Sequence, residues 1–157
     1  MSQGILLDDE DYWDWLIIVR DAAMQQLDNG SHSVIVDCSA LKKRYREVIR
    51  IANYNSPDIL IRFIFLHTPE HLLLERAHTH KGHIMSPNMV QKELEILEYP
   101  TIEETDVLII DASETITYVK NIVIAMVEDK IKTDNDSSCS ESLKEAQQST
   151  LSGRERL

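Results

Sequence analysis

The stretch Ile59–Leu66, which reads ILIRFIFL, is the feature that most limits the folds open to this chain. A nearly continuous apolar run of this length is typical of a strand buried on both faces of a parallel sheet. Two further runs, Ser33–Cys38 and Asp106–Ile110, also have the composition of short strands. Because helical patterns separate the three runs, the sequence predicts an α/β fold in which helices flank a parallel sheet.

Apolar spacing and capping residues predict five helices around these strands. The first helix follows the N-cap Asp8 and ends at Asn29-Gly30, a sequence that commonly stops a helix. The predicted helices span Asp8–Asp28, Leu41–Ala52, Pro69–His80, Asn88–Leu97 and Glu114–Ile131.

The composition of the chain changes once, near Lys132. The 157 residues fit a single domain. From Lys132 to Leu157 the chain is rich in Ser, Asp and Glu and contains no aromatic residue, valine or isoleucine. Such a segment buries too little apolar surface to offset its ordering entropy. We therefore predict a folded domain over residues 1–131 and a disordered polar tail over 132–157, in which a short helix around Ser142–Gln148 would be marginal.

The charge balance limits the classes of partner. Sixteen basic against 27 acidic residues give a net charge of −11, which argues against sequence-independent binding to nucleic acid or to an anionic membrane. A few well-placed cations could still bind a small phosphate-bearing molecule. We find neither an apolar run long enough for a membrane span nor a secretory signal in MSQGILLDDED, and two cysteines do not make a disulfide framework. We expect a cytoplasmic protein.

Candidate ligand-binding residues follow the first predicted strand. Ligands in parallel α/β sheets bind beyond the carboxyl ends of the strands. The segment Ser39–Arg46, SALKKRYR, follows such an end and opens a helix, so its backbone N–H groups could bind an anionic group. Lys42 and Arg46, spaced i and i+4, would add positive charge on one face. The alternative is a solvated basic helix face.

A second cationic cluster surrounds the loop after the third predicted helix. Arg76, Lys81 and His83 bracket a glycine, and a cationic helix end that runs into such a loop can close over phosphates. Read alone, the segment is better explained as an ordinary helix C-terminus with cations in its last turn. His78 and His80 extend this cluster, but they point to different helix faces and no paired carboxylate is near, so we predict no metal site.

Several segments together resemble the gluconokinase family. GILLDDEDYWDWL resembles the family's GIPLxDxDRxxWL, DCSALKKRYREVIR resembles its CSALKxxYRDxLR motif, and KGHIM resembles its GHFM loop. The order and spacing of CSALKxxYR and KGHxM are specific, and the resemblance covers about Met1 to Lys130. It implies a P-loop sugar-acid kinase of shikimate-kinase-like architecture. Such an enzyme transfers the γ-phosphoryl group of Mg-ATP to the 6-hydroxyl of D-gluconate, giving 6-phosphogluconate for the pentose phosphate pathway.

The resemblance also implies roles for individual residues and two cofactors, ATP and Mg²⁺. The implied contacts with gluconate or with the transferred phosphate are Ser39, Lys42, Tyr45 and Arg46. The implied nucleotide and lid residues are Arg76, Lys81 and His83. Lys42 and Arg76 would be the catalytic residues, because phosphoryl transfer depends on positioning and charge neutralisation.

The main departure from the family concerns the phosphate loop. None of the four glycines begins G-x-x-x-x-G-K-[ST], so these 157 residues lack the family's first strand and the phosphate loop after it. Met1 aligns with a methionine just before the family's GIPL, as expected when a sequence starts at an internal methionine. A true loss of the segment is the other explanation. Without that strand, two apolar strand edges would face a gap, and we expect the chain alone to be marginally stable.

Further departures lie inside the matched region, and they leave a second functional class open. The family's Pro, Arg, Arg and Ser-Gln are replaced here by Leu6, Tyr12, His80 and Lys92-Glu93. Leu6 is a structural change, and the others remove cationic or polar groups expected near ligands. The alternative to a kinase is a non-catalytic relative that binds a sugar acid or regulates an intact kinase subunit by pairing with it. A homodimer is also possible.

Overall fold

A computed structural model describes the backbone of residues 9–79 and 87–152, and the side chains of residues 12–79 and 88–134. Its elements are α1 (Asp9–Asp28), α2 (Lys43–Asn55), β1 (Phe63–His67), α3 (Glu70–Thr79), α4 (Pro87–Ile96), β2 (Val107–Asp111) and α5 (Ile116–Ser152). The chain forms two compact units, residues 1–109 and residues 110–157. The predicted α/β class with a parallel sheet is confirmed.

The sheet of the described chain contains two strands, β1 and β2, which lie side by side and parallel. The Phe63 N–H donates a hydrogen bond of 2.9 Å to the Asp106 carbonyl oxygen and sets the register where the strands begin. Both strands were predicted, although β1 begins four residues after the start of the apolar run Ile59–Leu66 that predicts it.

The first predicted strand in chain order, Ser33–Cys38, is not formed, and that prediction was wrong. Residues 33–38 lie in neither a helix nor a strand, and the Ile35 side chain is 96% exposed. A strand requires backbone N–H and C=O partners on a neighbouring chain segment. No strand of the described ranges lies beside this segment, so its β-branched composition alone does not produce a ladder.

The helices agree with the predictions to within a few residues, except at the end of the chain. After α1, Gly30 adopts a φ of +95°, and its N–H donates to the Leu27 carbonyl at 2.9 Å. This is the glycine termination expected from Asn29-Gly30.

The last helix, α5, continues to Ser152 instead of ending at Ile131. The backbone of residues 132–152 is therefore helical here, where the sequence predicted a disordered tail. This stretch contains no Pro or Gly, so a helix already formed upstream can extend through it although Ser, a poorer helix former, is frequent there. Lys130 and Asp134 support the first added turn with an ion pair of 3.6 Å. The division into a domain and a tail at residue 131 stays a prediction.

The core of the first unit lies where α1 packs against α2. Leu16, Tyr45 and Val48 are at most 3% exposed and form its centre. Burying one such aliphatic side chain contributes roughly 1.5–3 kcal/mol, so this contact fixes the start of α2 against α1. In a second contact of the same unit α3 packs against α4. Across the described ranges we find no helix with the length and apolar character to cross a membrane.

Candidate active site

The turn Ser39–Lys42 leads into α2 and has an unusual backbone conformation. Ala40 has a φ of +40°, in the left-handed region that non-glycine residues avoid at a cost of roughly 1–2 kcal/mol. Ala40 is 9% exposed, whereas Ser39 is exposed. Lys42 is extended and stands immediately before the first helical residue, Lys43. The turn therefore carries Ser39 and Lys42 on a backbone that needs external support.

Part of that support comes from Glu98, which follows α4. Its N–H donates to the Leu41 carbonyl at 2.9 Å, and its carboxylate accepts the Lys43 N–H at 2.7 Å. The Lys42 side chain makes no capping hydrogen bond. Glu98 therefore caps α2 from a distant segment and adds a negative charge at the positive end of the helix.

Arg46 provides the rest of the support, because it lies inside the protein under the turn. Its Nε and Nη2 donate to the two carboxylate oxygens of Glu104, both at 2.7 Å. Its Nη1 donates to the carbonyls of Ala40 and Glu98, both at 3.2 Å. Arg46 is 3% exposed and Glu104 is 8% exposed. Protein atoms thus occupy four of the five guanidinium N–H groups, which leaves little of this side chain for a ligand.

Arg50, one turn further along α2, joins the same ion network. Its Nε and Nη2 donate to the Asp106 carboxylate at 2.7 Å, and Nη2 also donates to Glu104 at 2.9 Å. Its Nη1 reaches Glu47 at 2.9 Å, and its guanidinium carbon lies 4.9 Å from the centre of the Phe63 ring. We call Arg46, Arg50, Glu104 and Asp106 the ion network. It connects α2 to the loop that precedes β2.

The hydrogen bonds of the ion network shift the pKa values of Glu104 and Arg50. Hydrogen bonds from Arg46, and then from Arg50, lower the pKa of Glu104 from its ordinary 4.5 to about 2. The hydrogen bonds with Asp106 raise the pKa of Arg50. Both shifts favour the charged forms, so Glu104 and Arg50 are ionised at neutral pH.

The lowered pKa of Glu104 predicts an acid-dependent loss of stability. Its contribution is present above the ordinary pKa of 4.5 and is lost as the pH falls from there towards about 2. We expect the free energy of unfolding, measured by urea denaturation between pH 7 and pH 3, to decline below about pH 4.5. The decline should be smaller in Glu104→Gln than in the matched variant Glu103→Gln, whose exposed carboxyl lies outside the network. Equal declines in the two variants would contradict this assignment.

Two aromatic rings flank the Ser39–Lys42 turn. The Tyr45 ring stacks on the Tyr12 ring with centroids 4.7 Å apart, and the Lys42 Nζ lies 5.4 Å from the Tyr45 centroid. A side-chain hydrogen bond joins Tyr12 to Ser39, and burial raises the pKa of the Tyr12 phenol. Ser39, Lys42 and Tyr45 are thus brought together as predicted, with Tyr12 as an addition from α1.

Comparison with known proteins gives this site its context. No family model matches the chain. Individual relatives do match: the probable gluconokinase of Saccharomyces cerevisiae is 37% identical over 134 residues, which cover 83% of this chain and 68% of that protein. The chain belongs to the gluconokinase family. The thermoresistant gluconokinase of Escherichia coli is 34% identical over 127 residues, covering 81% and 69% of the two chains.

The match to other gluconokinases is partial in length. The probable gluconokinase of Schizosaccharomyces pombe is 42% identical over 111 residues, which cover 70% of this chain and 57% of that protein. A crystal structure of a gluconokinase from Sinorhizobium meliloti 1021 superposes with a TM-score of 0.66 at 31% identity, covering 85% of this chain and 73% of the other. The chain therefore spans between just over half and about three quarters of these gluconokinases.

The other residues implied by the gluconokinase resemblance lie in α3 or outside the described residues. Arg76 is half-buried in the last turn of α3. Lys81, His83 and the replaced arginine position His80 lie outside the described residues, so the lid prediction stays a prediction. In the described part of the chain, no group of three or more His, Cys, Asp or Glu side chains could hold a metal ion. The motif G-x-x-x-x-G-K-[ST] is also absent from the 157 residues.

The main residues that the sequence did not identify are Glu98 and Glu104. Both lie in an acidic stretch that reads as an ordinary loop, and their partners are more than fifty residues away. The sequence feature that could have pointed to them is the i, i+4 spacing of Arg46 and Arg50. This spacing puts two guanidinium groups on one face of α2, where acidic partners are expected.

Proposed function

We propose that the protein is an ATP-dependent gluconokinase that converts D-gluconate to 6-phosphogluconate, and that the Ser39–Lys42 turn binds the sugar acid. The supporting observation is that this turn, part of a motif specific to the family, presents a hydroxyl and an ammonium group on a backbone held by buried hydrogen bonds. Gluconate offers a carboxylate and a row of hydroxyls, which this pair complements in charge and in hydrogen bonding.

The proposed roles follow from exposure and chemistry. Lys42 would pair with the gluconate carboxylate or with the transferred phosphate, and it would neutralise charge that develops during transfer. Ser39, oriented by its hydrogen bond with Tyr12, would bind a substrate hydroxyl. Tyr45 is 3% exposed, so it would support Lys42 from below instead of offering an open face to the ligand.

The nucleotide side of the proposal rests on family membership. Arg76, Lys81 and His83 would contact ATP as the lid residues of the family do, and Mg²⁺ would accompany the nucleotide. A cytoplasmic location, a role in the pentose phosphate pathway, a homodimer and pairing with another kinase subunit stay predictions. No contact among the described residues favours a regulatory role over a kinase.

Two measurements on the same preparation test the proposal. Isothermal titration calorimetry with gluconate should give a saturable signal that neutral glucose, which lacks the carboxylate, does not give. A coupled assay with ATP, Mg²⁺, gluconate, NADP⁺ and 6-phosphogluconate dehydrogenase should then produce NADPH. Binding without NADPH would favour the non-catalytic alternative, and absence of both signals would refute gluconate as the ligand.

A further inference from the structure

The buried hydrogen bonds around α2 converge on one short piece of backbone. Arg46 donates to the Ala40 carbonyl, Glu98 donates to the Leu41 carbonyl, and the Glu98 carboxylate accepts from the Lys43 N–H. All three bonds hold the segment that carries Lys42. An alanine at φ +40° would relax to a commoner conformation unless its surroundings over-determined it.

Glu104 controls this arrangement because it fixes the orientation of Arg46. The paired bonds from Nε and Nη2 to the Glu104 carboxylate define the plane of the guanidinium group. With that plane fixed, Nη1 can point only along the line that takes it to the carbonyls of Ala40 and Glu98. Rotation of Arg46 away from Glu104 would break both carbonyl bonds together.

The ion network contains more bonds than the attachment of α2 to the loop requires. Arg50 already makes paired bonds to Asp106 and a further bond to Glu104. Those contacts would hold the helix and the loop together without Arg46. The bond that runs from Arg46 to the Ala40 carbonyl is the part of the network that reaches the turn itself.

We propose that Glu104 is a positioning residue for the acceptor site: it orients Arg46, which holds Ala40 in its left-handed conformation and so sets the placement of Ser39 and Lys42. The choice of gluconate as the ligand rests on the proposed function. The conformational part of the inference does not, because it concerns only the described backbone.

The test compares Glu104→Gln with Glu103→Gln, the same chemical change one residue away on a side chain that is 80% exposed. Each variant of the full chain is first checked for folding by circular dichroism. Gluconate affinity is then measured by calorimetry, and backbone amide exchange is followed in residues 41–46 and in α1. Glu104→Gln leaves Arg46, which is 3% exposed, without its main partner and so puts the folding of that variant at risk. Arg46→Lys therefore serves as a second variant. It keeps the charge, but a single ammonium group cannot reach Glu104 and both carbonyls.

We expect Glu104→Gln and Arg46→Lys each to weaken gluconate binding by about 3- to 10-fold, the effect of losing a preorganised contact. Amide exchange should become faster at residues 41–46 and stay unchanged at residues 13–20, while Glu103→Gln changes neither quantity. Unchanged affinity and exchange in folded variants would overturn the proposal, as would faster exchange spread evenly over the chain. If the unmodified protein does not bind gluconate, the proposed function fails. The amide exchange rates at residues 41–46 still test whether Glu104 positions the turn.

Discussion

Replacing Arg46 with alanine is expected to lower the free energy of unfolding by about 3–5 kcal/mol, the range found when one partner of a buried ion pair is removed. The variant leaves the Glu104 carboxylate, whose side chain is 3% exposed, with only Arg50 to oppose its charge. It also removes the donors to two backbone carbonyls and leaves a cavity under the turn. Urea denaturation at pH 7 followed by circular dichroism measures the change.

Arg44→Ala is the matched control, because Arg44 is the same residue type on the same helix but is exposed. Its guanidinium carbon lies 5.5 Å from the Tyr45 ring centre, a contact worth about 0.5–1 kcal/mol at an exposed site. If Arg46→Ala lowers the free energy of unfolding no more than Arg44→Ala does, the ion network contributes little to stability.

Replacing Lys42 with glutamine is expected to weaken gluconate binding by about 10- to 100-fold, the effect of losing one hydrogen bond between charged groups. The substitution should lower the free energy of unfolding much less than Arg46→Ala does, because Lys42 is half-buried, provides no side-chain cap and precedes the helix. Calorimetric titration with gluconate, together with thermal unfolding of the free protein, separates these two effects.

Lys43→Gln provides the control for that experiment. Lys43 is the neighbouring residue with the same charge, and its ammonium group forms a long ion pair of 3.8 Å with exposed Glu103. Such surface pairs contribute between about 0 and 1 kcal/mol, so gluconate affinity should change by less than about threefold. Equal losses in the two variants would point to general electrostatic attraction instead of a specific contact from Lys42.

Local sequence signals predicted those parts of the fold that depend on neighbouring residues. The end of α1 at Asn29-Gly30 and the apolar runs of β1 and β2 could be identified because capping and burial patterns are short-range. The segment Ser33–Cys38 has an equally good strand composition, yet strand formation depends on a partner that composition does not reveal. The helix α5 is longer than the sequence predicts, because a polar stretch without Pro or Gly can extend a helix that is already formed upstream.

The candidate site was predicted by motif rather than by geometry. The motif singled out Ser39, Lys42, Tyr45 and Arg46, and their roles stay predictions. It could not separate exposed Ser39 from buried Arg46, because a sequence motif does not show which of its side chains the fold buries. The partner of Arg46 could not be predicted at all. Glu103 and Glu104 are adjacent acidic residues, and only the tertiary fold decides that the second one turns inward.

The pairing of Arg46 with Glu104 spans 58 positions of sequence, and this separation affects how the protein is made. At a synthesis rate of about 5–20 residues per second, roughly 3–12 s pass on the ribosome between the addition of Arg46 and the addition of Glu104. During that interval α1 and α2 can already pack, but the guanidinium group under Ala40 lacks its carboxylate. The Ser39–Lys42 turn therefore reaches its final shape late in biosynthesis, after the loop before β2 has emerged.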